Sequence, residues 1–456
     1  MRRRPSWTPL ALAAAIGCAG GSAHAADLLQ TYREAVGNDP QFSSARASAE
    51  AGRERVPQGR ALILPTLNAT ANTTYNDATI TPRTSPTTDS VRQFNSNGWT
   101  VTLSQPLFRY QNWLQYRESE FQARQAEAQL GQAIQDLIVR VAQAYFDVLA
   151  AQDSLAVIGA QKAAISEQLA QAKRNFEVGT ATITDTHEAQ ARYDLIAAQE
   201  IAALNDLQAR RRQLQLIAGK EYTELKQLRA DVKVAPPNPD NVDTWAELAE
   251  EQSYSVLIQE AAAEVASLEA KRATAGHLPT LDFVATYGQL GESSTSVSPI
   301  GRDSNNSTVG VQLALPIFQG GSVSSREREA AALYLRSKDD LENAKRTAVL
   351  TTRQLYLSTI NGITQVAALE QARVSSQSAL DSNKLGYEVG IRINIDVLNA
   401  QQQLYSTERD LALARYNTIL NSLRLKAAAG ALREEDLEEV NRVLTVTAGR
   451  PPDAGR

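Results

Sequence analysis

The stretch LGYEVGIRINIDVLNAQQQLY (385–405) echoes an earlier one, RNFEVGTATITDTHEAQARYD (174–194), at a distance of 211 residues. Each reads as the end of a helix, a glycine turn and the start of another helix. The echo extends in both directions. Downstream, Ala189-Gln190 matches Ala400-Gln401, and Gly219 in LQLIAGK falls opposite Gly430 in LKAAAGA at the same offset. Upstream, LILPTLNATANTTY (62–75) parallels GHLPTLDFVATYGQ (276–289), and VTLSQPLF (101–108) parallels VQLALPIF (311–318), with offsets of 214 and 210. A repeat sustained at this spacing means one structural unit written twice. Each half reads as a helix, two strand-like runs, a very long helix, a tight turn and a second long helix.

The 456 residues accordingly divide into a leader (1–25), a first repeat (26–230), a proline-rich linker (231–243), a second repeat (244–430) and a C-terminal segment (431–456) whose last ten residues read as disordered. The leader, MRRRPSWTPLALAAAIGCAGGSAHA, has three arginines, an apolar run and Ala23-His24-Ala25, the pattern of a secretory signal peptide cleaved after Ala25. Lipid attachment at Cys18 is the rival reading, because Ile16-Gly17-Cys18 resembles the end of a lipoprotein signal, although Ala15 is a poor start for that box. Cleavage removes the one cysteine, so the mature chain has no disulfide or thiol chemistry and depends on packing. It also removes Arg2, Arg3 and Arg4, leaving 43 basic against 51 acidic residues, a formal charge of −8 and no polybasic surface for nucleic acid. Beyond the leader no run approaches the roughly 18 apolar residues of a membrane-crossing helix. A membrane span in this chain would have to be made of strands.

Four runs alternate with period two and predict strands at 66–80, 97–108, 280–291 and 307–318. Leu67, Ala69, Ala71, Thr73 and Tyr75 share one face of the first, and Trp99, Val101 and Leu103 one face of the second. Leu281, Phe283, Ala285 and Tyr287 do so in the third, and Val309, Val311, Leu313, Leu315 and Ile317 in the fourth. The runs have the length of tilted membrane-crossing strands, and the connections at 81–96 and 292–306 are long, polar and rich in Ser and Thr. Alternation alone also fits a soluble β-sandwich. If the strands cross a membrane, four cannot close a barrel and lipid forbids an open edge, so several chains must pool them.

From Tyr110 to Phe176 there is no proline and only Gly131 and Gly159, and residues 323–388 repeat the feature. Each run as one helix is on the order of 100 Å long, so it needs lateral support from neighbouring helices. In the last helix Val397, Leu404, Leu411, Thr418 and Leu425 recur every seven residues, the spacing of a coiled-coil seam.

The motifs GHLPTLD, LPIFQGG, GYEVG followed by IDVLNAQQQLY, and LARYNTILNSLRLKAAAG occur in the order and at the spacing that resemble the TolC family of outer-membrane channel-tunnels. The resemblance runs from ADLLQTYREA (26–35) to the helix after Glu434. It implies a mainly α fold with membrane β: a homotrimer whose chains each give four strands to a twelve-stranded barrel in the outer membrane of a Gram-negative bacterium. The barrel would continue into an α-helical coiled-coil barrel across the periplasm, with an equatorial belt from the linker and the C-terminal segment. It also implies an exit duct for type I protein secretion or multidrug efflux, or both. The expected partners are an inner-membrane ABC or proton-driven transporter, a periplasmic adaptor protein and outer-membrane lipid.

In that family the echoed turns lie at the periplasmic mouth. Carried over by position, Tyr387 and Arg392 on the second hairpin would tether to Asp185 and Thr184 on the first, and Asp396 and Asn399 would line the constriction. The family's better-known members have an aspartate at both constriction positions, so Asn399 would halve the acidic ring. Gly179 and Gly390 read as helix-terminating turn glycines. Each residue also has a plainer reading: Asp185 with Glu188 as a capping box, Asp396 as a cap, Tyr387 as hairpin packing and Arg392 as a solvated turn residue.

Enzyme chemistry finds little support. The mature histidines, His187 and His277, sit in neither a nucleophile elbow nor a metal-ligand cluster, and no phosphate-binding glycine loop is present. Asp339-Asp340 and Glu434-Glu435 read as solvated helix faces. No cofactor or metal is expected. The competing non-enzymatic reading, a non-conducting periplasmic coiled-coil spacer, leaves the four amphipathic strands without a purpose; an outer-membrane hydrolase is the third.

Overall fold

The structure, a computed structural model, describes residues 25–81, 83, 90–229, 232, 235–296 and 298–445. Residues 1–24 of the expected signal peptide, with Cys18, and the expected disordered tail lie outside these residues. The described residues open with three short helices, α1 (Leu28–Asn38), α2 (Pro40–Arg53) and α3 (Arg55–Ala61). Asp27 caps α1 by accepting from Gln30 N at 2.8 Å, and Asp39 caps α2, which has proline in its first turn. The hairpin β1 (Thr66–Ile80) and β2 (Ser90–Phe108) follows, then α4 (Tyr110–Glu177), α5 (Ile183–Ala218) and a short β3 (Gln227–Leu228). The second half repeats the order with α6 (Val242–Gln252), α7 (Tyr254–Thr274), β4 (Thr280–Glu292), β5 (Arg302–Ala314), α8 (Ser322–Glu388) and α9 (Asn394–Ala428). A last helix, α10 (Glu434–Arg442), leads to β6 (Leu444–Thr445), which pairs with β3. No described helix is long and apolar enough to cross a membrane.

The four long strands form one antiparallel sheet in the order β1-β2-β4-β5. Their register aligns Leu67, Leu103, Ala285 and Val309 in one cross-strand row and Asn68, Thr102, Thr286 and Thr308 in the next. Rows on one face are thus apolar and rows on the other polar. The apolar face is uncovered: Leu67 is 70% exposed, Val309 74% and Leu313 67%. A sandwich would bury that face under a second layer, whereas lipid is a solvent for it.

The strand bounds differ from those expected. β2 starts at Ser90, because the hairpin ladder continues to the pair Ile80–Ser90, and β5 spans Arg302–Ala314 instead of 307–318. Alternating hydrophobicity does not mark the ends of a strand: it stops short of the start of β2 and β5 and runs past Ala314 to Leu315 and Ile317. Backbone pairing goes on wherever two chains face each other, so part of each expected polar loop is strand.

The helices α4 and α8 contain 68 and 67 residues, about 100 Å each. The heptad residues Val397, Leu404, Leu411, Thr418 and Leu425 are all at most 4% exposed and face α8, where Leu380, Val366 and Tyr356 meet them. The largest apolar core sits where α1, α5, α9 and α10 surround the middle of α4, with Leu137, Val141, Tyr145, Phe146 and Leu149 at its centre. Tyr145 Oη donates to the carbonyls of Ala26 and Lys226 at 3.1 and 2.8 Å, tying the segment before α1 to the segment before β3. Tyr416 Oη donates to Asp153 at 2.6 Å. Burial pushes the Asp153 carboxyl above its usual range, and the tyrosine bond only partly offsets it.

Candidate functional site

At the far end of the helices from the sheet, the chain makes two turns with one backbone design. Gly179 (φ 80°) and Gly390 (φ 78°) adopt the left-handed conformation. In the first turn Thr180 N and Ala181 N donate to Asn175 O at 2.8 and 3.2 Å. In the second, Ile391 N and Arg392 N donate to Gly386 O at 2.9 and 3.0 Å. The repeated stretches are therefore the same turn down to individual hydrogen bonds.

The helices leaving these turns start differently. Thr182 caps α5 in a reciprocal box: Asp185 N donates to Thr182 Oγ1 at 3.3 Å, and Thr182 N donates to Asp185 Oδ2 at 3.0 Å. This corrects the expected box, in which Asp185 was the cap and Glu188 its partner; Asp185 takes the acidic role three residues in. The equivalent cap of α9 is Ile393, which offers no side-chain oxygen, and Asp396 does not cap. Its carboxylate instead lies 3.7 Å from Arg392 Nη1. Replacing Ile393 by Thr should recreate the box with Asp396 and stabilise this helix end by ~1 kcal/mol. Amide hydrogen exchange at Asn394–Val397 should slow about fivefold. Unchanged exchange would mean the turn does not adopt the first repeat's cap geometry.

The two hairpins are joined by a polar seam. Asn175 Nδ2 donates to Tyr387 Oη at 3.2 Å, Gln168 Nε2 donates to the buried Asn394 Oδ1, and Arg192 donates to Gln402 Oε1 and Asn399 Oδ1 at 2.6 and 3.0 Å. Ile165, Ile196 and Leu398 fill the space between. The Tyr387 ring packs against Leu380, Val397 and Leu404 inside its own hairpin.

Within one chain, then, Tyr387 and Arg392 make no hydrogen bond or ion pair with Asp185 or Thr184. The structure brings Tyr387 to Asn175 and Arg392 to Asp396. Asn399 lies beside a guanidinium, so its surroundings are more positive than the sequence suggested. Arg192, Gln168, Asn175 and Asn394 were missed. Asn394 had a signal, since it replaces Ile183 of the first repeat, a polar residue in an apolar slot. Arg192 had none, because neither repeat alone determines which face of α5 meets α9. His277 closes a short 3-10 turn between α7 and β4, with Nε2 3.8 Å from Glu327. Among the described residues no group of His, Cys, Asp and Glu could hold a metal.

The family described as outer membrane efflux protein matches this chain over residues 31–220 and 245–431. The chain is 36% identical over 440 residues to the outer membrane protein TolC of Vibrio cholerae, covering 96% of this chain and 98% of that one. It is 33% identical over 422 residues to the alkaline protease secretion protein AprF of Pseudomonas aeruginosa, covering 92% and 87%. Among solved structures, the CmeC outer membrane channel of Campylobacter jejuni has the same fold, with a TM-score of 0.78 over 93% of this chain and 90% of that one at 16% identity.

Proposed function

The chain belongs to the outer membrane efflux protein family, and from that premise we propose how it builds and gates its conduit. The protein is a passive outer-membrane duct of the efflux and type I secretion class, extending into the periplasm, and not an enzyme. Three copies pool twelve strands into one barrel and their helices into a tunnel. The observation that carries this is the sheet itself: one layer, with an exposed apolar face and free edges at β1 and β5. Backbone groups at such edges are costly in lipid unless another strand takes them up, and another copy supplies matching strands.

The paired hairpins form the periplasmic gate. In the closed mouth, hairpins of adjacent copies converge, and Arg392 leaves its loose contact with Asp396 for Asp185 and Thr184 across the gap, with Tyr387 beside it. A charge-assisted contact of this kind is directional, and weak enough in water to yield when a periplasmic adaptor docks. Asp396 contributes three carboxylates to the constriction, while Asn399, held by Arg192, contributes none. An inner-membrane transporter supplies the cargo. The relation to an alkaline protease secretion protein supports secreted protein as one cargo class.

The proposal is tested by mass. Protein extracted from the outer membrane in mild detergent should have the native mass of three chains and a heat-modifiable gel mobility. A monomeric particle with the same mobility before and after heating would exclude the pooled barrel.

A further inference from the structure

The duplication specifies how the two free edges of the sheet meet, an inference that rests on the proposed trimer. Within each repeat the hairpin register is the same: Leu67 faces Leu103 in the first, and their counterparts Leu281 and Leu313 face each other in the second. The repeats adjoin at β2 and β4, where Leu103 faces Ala285 and Thr102 faces Thr286. In a closed ring of identical chains β5 meets β1 of the next copy, which is the same junction with the repeats in the opposite order. The counterparts of Leu103 and Thr102 are Leu313 and Gln312, and those of Ala285 and Thr286 are Ala71 and Asn72. We propose that the barrel closes with Leu313 facing Ala71 of the partner subunit and Gln312 facing Asn72 of the partner subunit.

Three features agree with this register. It sets Val309, Val311 and Leu313 beside Tyr75, Thr73 and Ala71 of the partner subunit, keeping the apolar face continuous, whereas a slip of one residue would turn one strand over. It also accounts for the unequal ends of β2 and β5. β2 runs on to Phe108, which faces Leu281 of β4, while β5 stops at Ala314 and leaves Ile317 and Phe318 91% and 87% exposed. On closure Phe318 takes the place of Phe108 and meets Leu67 of the partner subunit. Finally, the seams become chemically distinct. Inside the chain Arg109 donates to Asp282 through two bonds of 2.7 and 2.6 Å. The equivalent residues between chains are Gln319 and Asn68, so a neutral amide pair replaces the ion pair there.

Cysteine pairs in the full-length protein test the register, because the natural cysteine, Cys18, lies in the leader. Facing residues of an antiparallel pair lie within disulfide range, and adjacent pairs alternate between the hydrogen-bonded and the closer non-hydrogen-bonded type. In outer membranes oxidised with copper phenanthroline, Leu313→Cys with Ala71→Cys, or Gln312→Cys with Asn72→Cys, should give a covalent ladder ending at three chains. Leu313→Cys combined with Ala69→Cys or Thr73→Cys should link several-fold less. More efficient linking by either of those two, or no linking by any pair in a particle with the mass of three chains, would overturn the register while leaving the trimer standing. A native mass of one chain would overturn both.

Discussion

Replacing Tyr387 by Phe together with Arg392 by Ser is expected to raise the single-channel conductance of the reconstituted protein several-fold. Tyr387→Phe keeps the ring that packs against Leu380, Val397 and Leu404 and removes only the hydroxyl that accepts from Asn175. Arg392→Ser removes a side chain that is 58% exposed and has Asp396 as its ion-pair partner within the chain, at 3.7 Å. Neither change touches the core, so the fold should survive. A solvated contact of this kind contributes about 1 kcal/mol or less. In the proposed trimer three copies act on one mouth, so losing roughly that amount at each would move the closed–open equilibrium by about 3 kcal/mol, on the order of a hundredfold. On this proposal small individual contacts gate a large pore. A double variant with wild-type conductance would return Tyr387 to hairpin packing and Arg392 to a solvated turn.

Gly430→Ala should cost far more stability than the same change at Gly390, although both glycines have positive φ, 72° and 78°. At Gly390 an added Cβ points into open space. The cost there is the left-handed backbone alone, about 1–2 kcal/mol. At Gly430 the Cβ would lie 2.1 Å from the carbonyl oxygen of Gln252 and 3.1 Å from Ser253 N. These are backbone atoms at the joint between α6 and α7 and cannot rotate away. The end of α9 would have to separate from that joint, pulling on Leu425 and Ala429 where they pack against Trp245 and Tyr356. Strain and overpacking together imply a loss above about 3 kcal/mol. Urea unfolding followed by circular dichroism should separate the two variants clearly; equal midpoints would mean that the α9 terminus and the α6–α7 joint give way together at little cost.

Much of this architecture was legible because its signals are periodic. Alternation with period two located the strands through Leu67–Tyr75 and Val309–Leu313, although it ran on to Ile317, past the end of β5, and the seven-residue spacing of Val397 to Leu425 located a helix seam, which packs against α8. Gly179 and Gly390 were legible as helix-terminating turn glycines and have positive φ; Gly219 and Gly430, which the sequence showed only as matching positions of the echo, share that conformation. Strand ends were not legible, since Ser90 pairs with Ile80 through backbone groups that carry no residue signature. The cap of α5 was misplaced by three residues because Thr182 and Asp185 both suit an N-terminus, and only the backbone at Thr182 (φ −87°, ψ 158°) shows where the helix begins. The seam between hairpins was least visible. Gln168–Asn394 and Arg192–Asn399 join residues more than 200 positions apart, and their meeting depends on how one hairpin leans on the other.

Whether this chain forms a duct is tested most directly by the conductance of the purified wild-type protein in a planar lipid bilayer. Discrete current steps of low resting conductance, carried mainly by cations on the proposal that Asp396 lines the mouth, are the expected result. Folded particles that insert into the bilayer and pass no current, in wild type and in the Tyr387→Phe, Arg392→Ser variant alike, would contradict it.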